Sequence, residues 1–304
     1  MAARVLIIFP GALGDLICLA PTIDAVARRH RGAELELMAR LELAQFAVGR
    51  LGIARAHSID RREVATLFRD SPDDSNEPAR RFFSPFDRIY CWFNADDPRF
   101  RRTMLDASAP GATTFHRFRP DAEGHIASAY LKDVAADAKL EPSKIELLPG
   151  DLEGASRAIR GLTEPKKFVA IFPGSGSPTK NWPVEKFLAL ADRLNERALF
   201  VLGPAEVDLD DGLRDAGHLI IKNQAIGTVA AIASMATAFV GNDSGVSHLA
   251  AATGTPGVVL FGPTDPARWR PLGRVVVLHR EPIASIEVAE VLTALASISR
   301  VEGA

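Results

Sequence analysis

The chain has 304 residues, 47% of them hydrophobic and 24% charged, with 36 Lys+Arg against 38 Asp+Glu. That length and apolar content suit two folded domains and exclude a chain dominated by disorder. Basic and acidic residues number 21 and 22 in residues 1–152 and 15 and 16 in the remainder, so neither half carries the surplus of a nucleic-acid clamp and no nucleic-acid partner is expected.

In chain order, short apolar runs of β type occur at 5–9, 34–37, 88–92, 168–172, 199–202, 238–240, 257–261 and 275–278. Continuous Val/Ile/Leu/Phe runs separated by helical segments predict parallel strands covered on both faces, an α/β fold. The helical segments carry apolar stripes at i, i+3, i+4 and i+7: Leu16, Leu19, Ala20, Ile23; Phe187, Leu190, Ala191, Leu194; Val288, Val291, Leu292, Leu295. The motif IFPG closes a strand at 8–11 and again at 171–174, each time before a glycine loop and a helix, which divides the chain into two Rossmann-like halves. Pro149, Gly150, Gly161 and Pro165 mark the connector, and the expected domains are 1–155 and 156–304. Residues 69–87, rich in Asp, Ser, Pro and Arg, read as a loop of the first half.

The opening MAARVLIIFPGALGD resembles a signal peptide only until Pro10, Gly11, Gly14 and Asp15 interrupt it; it reads as a buried strand and a loop. Residues 223–242 and 244–264 lack Asp, Glu, Lys and Arg except Asp243 between them, yet both carry residues that break a lipid-facing helix, so no membrane span is predicted. Cys18 and Cys91 show neither disulfide nor metal-ligand spacing, which fits a reducing cytoplasm.

Four segments carry chemistry. In FPGALGD, Gly11 and Gly14 allow a tight strand-to-helix turn and Asp15 opens the helix; taken alone, Asp15 is a first-turn acid favoured by the helix dipole. The GxxG spacing departs from GxGxxG, which disfavours an NAD enzyme. In FPGSGSPTKNWP, Gly174 starts a loop whose Ser175, Ser177 and Thr179 hydroxyls and Lys180 ammonium suit phosphate oxygens, but the spacing misses a Walker A loop. In GNDSGVSHLAA, Asp243, Ser244, Gly245 and His248 lie where a strand ends and a helix N-terminus offers free N–H groups to an anion. In LGPAEVDLDD, Glu206 stands at a strand's carboxyl end, where an acid accepts ribose hydroxyls; Asp208 and Asp210 form a DxD that reads as an acidic helix start, and no metal is assigned.

Taken together and in order, GALGDLICLAPTI, FPGSGSPTKNWP, GPAE and GNDSGVSHLAAATGTPGVVLFGPTDPARW resemble glycosyltransferase family nine, the ADP-heptose:lipopolysaccharide heptosyltransferase family. The resemblance implies a GT-B architecture of two facing Rossmann-like domains with a cleft between them. It puts the acceptor on the first domain and the nucleotide sugar on the second, and returns the final helix, near 285–299, toward the first. It implies catalytic roles for Asp15 and Lys180, and donor binding by Gly14, Gly174, Ser177, Thr179, Glu206, Asp243, Ser244, Gly245 and His248. The expected chemistry is inverting, metal-independent transfer from ADP-heptose, with no cofactor besides the donor, to a lipopolysaccharide-core or related glycan hydroxyl. The place is the cytoplasm, with peripheral contact at the inner membrane left open, as is the oligomeric state.

In that chemistry Asp15 takes the acceptor proton while Lys180 and the helix N-terminus at Ser244 and Gly245 stabilise the departing diphosphate. Arg61, Arg62, Arg80, Arg81, Arg99, Arg101, Arg102, Arg117 and Arg119 punctuate the first half and are candidates for an acidic acceptor, most of them being solvated. The alternatives are a transferase for another nucleotide sugar or acceptor, and a nucleotide-binding module of the same fold without turnover.

Overall fold

The structure, a computed structural model, describes residues 2–68, 76–162, 164–204, 206, 213 and 217–299. The chain forms two compact units, Met1–Leu140 and Glu141–Ala304. The connector marked by Pro149, Gly150, Gly161 and Pro165 holds the helix α7 (Pro149–Ile159), which packs on α9 (Ile226–Met235) of the second unit.

The first unit is a five-stranded parallel sheet in the order β3-β2-β1-β4-β5, made of β1 (Arg4–Ile8), β2 (Glu34–Ala39), β3 (Arg55–Ser58), β4 (Arg88–Cys91) and β5 (Thr113–Phe115). Its helices are α1 (Leu13–Arg29), α2 (Leu41–Ala47), α3 (Arg62–Thr66), α4 (Glu77–Phe83), α5 (Pro98–Ala107) and α6 (Ile126–Val134). The segment 69–87, read as a loop, holds α4 over part of its length, because Ala79, Phe83 and Phe86 have a core to enter beside Leu6, Ile8 and Met38. Residues 69–75 lie outside the described residues.

The second unit is a six-stranded parallel sheet in the order β11-β10-β9-β6-β7-β8. Its strands are β6 (Phe168–Phe172), β7 (Arg197–Leu202), β8 (Leu219–Lys222), β9 (Ala238–Asn242), β10 (Gly257–Phe261) and β11 (Val275–His279). With α7 and α9, the described helices include α8 (Val184–Ala191), α10 (Gly245–Ala252), α11 (Pro266–Trp269) and α12 (Val288–Ser299). The final helix, implied by the resemblance to return toward the first domain, buries Val291, Ala294, Leu295 and Ile298 in the second unit's own core. None of the described helices is long and apolar enough to cross a membrane.

In each sheet the chain winds outward from a central strand in one direction and then reverses. The reversal falls between β1 and β4 in the first unit and between β6 and β9 in the second. Neighbouring connections leave such strands toward opposite faces, so a crevice opens at their carboxyl ends, the usual ligand position in an open parallel sheet.

One charge cluster lies inside the first unit. Glu36 is fully buried on β2 and accepts from Arg4 Nε at 2.8 Å and from His57 Nε2 at 2.6 Å. Arg61 Nη1 lies 3.3 Å from His57 Nδ1; a guanidinium only donates, so Nδ1 accepts and the ring proton sits on Nε2. Burial alone would raise the Glu36 pKa, but the hydrogen bonds from His57 and Arg4 outweigh it and hold the carboxyl at about 2. A pKa lowered on folding stabilises fully above the ordinary value of 4.5 and is lost as pH falls through 2. Denaturation of the full chain should therefore show Glu36→Gln less stable at neutral pH by up to about 3 kcal/mol. That deficit should close between pH 4.5 and 2; a deficit constant over the window would refute the assignment.

Candidate active site

Asp15 sits at the reversal point of the first sheet, in the first turn of α1 after the β1 loop. Its local role is satisfied: Oδ2 accepts the Ala12 amide at 3.0 Å, closing the first turn. Gly11 makes the approach feasible, since a Cβ there would lie 2.5 Å from Asp15 Cβ and would collide with the Phe9 ring. Asp15 is 4% exposed, and its carboxylate is gripped from both oxygens by Arg119, Nε to Oδ1 at 3.0 Å and Nη2 to Oδ2 at 2.8 Å. The hydrogen bond to Asp15 raises the Arg119 pKa further above its ordinary value.

The floor beneath this pair is aromatic. Phe9 meets Trp92, Phe118 and Tyr130 edge to face, and the Arg119 guanidinium lies 5.1 Å from the Phe118 ring centroid. Burial, followed by the negative charge of Asp15, pushes the Tyr130 phenol pKa up. His116 stacks on Trp92 at 4.6 Å between ring centroids, and burial lowers it to about 4, so it is neutral at physiological pH.

The second unit gathers the remaining candidates at its own reversal point. The loop after β6 is pinned by Trp182, which is 2% exposed, donates its amide to Asn242 Oδ1 at 3.0 Å and its indole N–H to the Ile286 carbonyl at 3.0 Å. Two residues earlier, Lys180 Nζ reaches Asp243 Oδ2 at 2.7 Å, just before α10. The same oxygen accepts from Thr264 Oγ1 at 2.6 Å, and the Asp243 amide donates to Leu260. Ser244 caps α10, its Oγ accepting the Ser247 amide, while Ser247 Oγ donates to the Asn242 carbonyl at 2.7 Å. His248, the fourth residue of this helix, is buried.

The hydroxyls of Ser177 and Thr179 are 3.0 Å apart in the Lys180 loop. Glu206 Oε2 accepts the Gly203 amide at 2.6 Å, and its carboxylate lies so close over Gly174 that a Cβ there would collide with it. The structure thus joins Gly174 to Glu206, Ser177 to Thr179, and Lys180 to Asp243, all within the second unit; Asp15 and Gly14 belong to the first. Asp208 and Asp210 lie outside the described residues.

Thr264 stands in the GPTD segment with no pattern that marks it as a partner of Asp243, and Arg119 is one of nine candidate arginines of the first half. No spacing signal links Arg119 to Asp15, 104 residues away. Other arginines are committed elsewhere: Arg61 to His57, Glu63 and the face of Phe82, Arg80 to the Asp106 carbonyl, Arg101 to the Ala95 carbonyl and Phe115, and Arg117 to Asp96.

Two parallel α/β units with polar groups collected at the reversal point of each sheet define the GT-B class of glycosyltransferase fold. The solved structure of E. coli ADP-heptose lipopolysaccharide heptosyltransferase II shares it, with a TM-score of 0.77 and 18% identity over 99% of this chain and 100% of that one. The model of glycosyltransferase family 9 (heptosyltransferase) matches residues 99–290, and the chain belongs to that family. Lipopolysaccharide heptosyltransferase 1 of Pseudomonas aeruginosa is 26% identical over 298 residues, which are 89% of this chain and 82% of that protein. Lipopolysaccharide heptosyltransferase 3 of Escherichia coli K12 is 34% identical over 125 residues, 38% of this chain; the match spans only 36% of that relative.

Gly11→Ala tests the packing under Asp15. The added methyl has rigid neighbours, so destabilisation of roughly 1–3 kcal/mol is expected. Thermal unfolding reads it, and an Ala variant as stable as the wild type would show that the loop has room to give.

Proposed function

We propose that the chain is an inverting, metal-independent transferase that moves heptose from ADP-heptose to a hydroxyl of a lipopolysaccharide-core or related glycan acceptor. The observation that carries this reading is the convergence of three loops of the second unit on one reversal point, with Lys180 on Asp243 at the start of α10 and Glu206 against Gly174. A cation, a helix N-terminus and an acid together match a nucleoside diphosphate: ammonium and amides for the phosphates, carboxylate for the ribose hydroxyls. The names of the family and of the relatives direct the choice of sugar and acceptor.

In this reading Asp243, Ser244, Gly245 and His248 hold diphosphate and sugar, Ser177 and Thr179 add hydroxyl donors, and Gly14 keeps the backbone beside Asp15 low enough for the sugar. The acceptor oxygen attacks the anomeric carbon as its proton passes to Asp15. The bond to the diphosphate breaks with its electron pair, and the charge developing there is met by Lys180 and the α10 amides. These groups are fixed before the reaction, so they stabilise the leaving group without reorganising.

Calorimetry with ADP, UDP, GDP and NAD in parallel, with and without magnesium, tests the donor. Tight binding of ADP alone, unchanged by magnesium, is expected. Preference for another nucleotide redirects the donor, and binding of none favours a module without turnover. In transfer assays Asp15→Ala should keep ADP affinity and lose roughly 10²- to 10⁴-fold in turnover, whereas Lys180→Ala should weaken both. Near-normal turnover in the first variant would remove Asp15 as the base, and unchanged affinity and rate in the second would remove Lys180 from the site.

A further inference from the structure

A general base needs a lone pair directed at the proton it takes, and the Asp15 carboxylate has few to spare. Its two oxygens offer about four acceptor positions. Arg119 Nε takes one on Oδ1, and Arg119 Nη2 and the Ala12 amide take two on Oδ2. The Ala12 bond is part of the α1 start and goes with the fold. The Arg119 bonds come from a separate segment, beyond β5, at a residue with φ of 51°, in the left-handed region that a non-glycine side chain adopts at a cost. The Phe118 ring lies against the guanidinium, its centroid 5.1 Å away. The Arg119 side chain is nevertheless 51% exposed while that of Asp15 is 3% exposed, so the guanidinium stands between the carboxylate and solvent.

We propose that Arg119 masks Asp15 against water while no acceptor is bound, and that acceptor binding displaces it from one carboxylate oxygen. The inference rests on Asp15 being the base of the transfer reaction proposed above. It assigns a purpose to a bidentate pair that, left in place, would oppose the reaction. A nucleotide-sugar transferase with an open base would spend its donor on water: the water oxygen would attack the anomeric carbon, its proton would pass to Asp15, and the diphosphate would leave with the electron pair of the broken bond. The products are free sugar and nucleoside diphosphate. A guanidinium bridging both oxygens opposes that path by taking two of the roughly four acceptor positions, the Ala12 amide taking a third, and by standing between the carboxylate and solvent. Arg119 acts through Asp15 and is a positioning residue.

The test is acceptor-free hydrolysis of ADP-heptose, followed by release of ADP, in the full chain and in Arg119→Ala, Arg119→Lys, Asp15→Asn and the Asp15→Asn/Arg119→Ala double variant. Arg119→Ala should raise hydrolysis about 10-fold or more, within the range a positioned base supplies. Arg119→Lys, which retains the charge but not the two-point grip, should fall between it and the wild type. The gain should vanish in the double variant. A purely structural role for Arg119 would lower every rate together and leave no such gain. Unchanged or reduced hydrolysis in Arg119→Ala, with ADP affinity intact by calorimetry, overturns the proposal, as does a gain that survives in the double variant. Absence of ADP binding by the wild type would sink the underlying transferase reading, and full transfer activity in Asp15→Asn would remove Asp15 as its base; each is recognised separately.

Discussion

The reversal of strand order in an all-parallel sheet is the constraint on which the rest of this molecule depends. A right-handed crossover sends each helix to the face set by the direction in which the next strand is added. Where that direction changes, two adjacent strands release their chains to opposite sides and leave their carboxyl ends uncovered. In the first unit this happens between β1 and β4, and the loop that leaves β1 carries Asp15. In the second it happens between β6 and β9, whose loops carry Lys180 and Asp243. The chemistry-bearing groups are therefore placed by topology before any side chain is considered. Buried anchors such as Trp182 then fix them to within hydrogen-bond tolerance.

Each unit satisfies the charges of its candidate site internally. Lys180 rests on Asp243, which also receives Thr264, and Asp15 rests in the grip of Arg119. Such pairs hold side chains in a fixed geometry and avoid the penalty of an unpaired charge in a poorly solvated place. They differ in what a ligand asks of them. An ammonium has three donors, so Lys180 keeps donors to spare while it holds Asp243. A carboxylate bridged by a guanidinium and closing a helix turn keeps only one of roughly four acceptor positions for a ligand. The Glu36 cluster is a third kind of pair, enclosed under Phe82 and Phe86 and contributing to the stability of the first unit rather than to its chemistry.

The central strands were legible because burial on both faces leaves continuous apolar runs, as in Val5 to Phe9 or Phe168 to Phe172. The strands that went unread, β3, β5 and β8, are all at sheet edges, where one side is solvated and the run breaks into sequences such as RAHS and TTF. Composition hid α4: its apolar residues are few and are flanked by Arg80, Arg81 and Pro78, so only the presence of a core to fill reveals the helix. Among the site residues, Asp15, Lys180, Glu206 and Asp243 could be named because each belongs to a local strand-loop-helix pattern whose backbone geometry is set within a few residues.

The sequence by itself therefore determined the α/β class, the duplication of a glycine-loop unit, and the candidate groups at the strand ends, since these follow from periodicity and short-range turn chemistry. Tertiary structure alone decided which of those groups meet. The pairing of Lys180 with Asp243 across 63 positions, the closing of Arg119 over Asp15 across 104, and the burial of Glu36 against Arg4 and His57 depend on how strands are ordered in the sheets. Strand order is a long-range outcome of packing and crossover handedness, to which no local pattern in the chain corresponds.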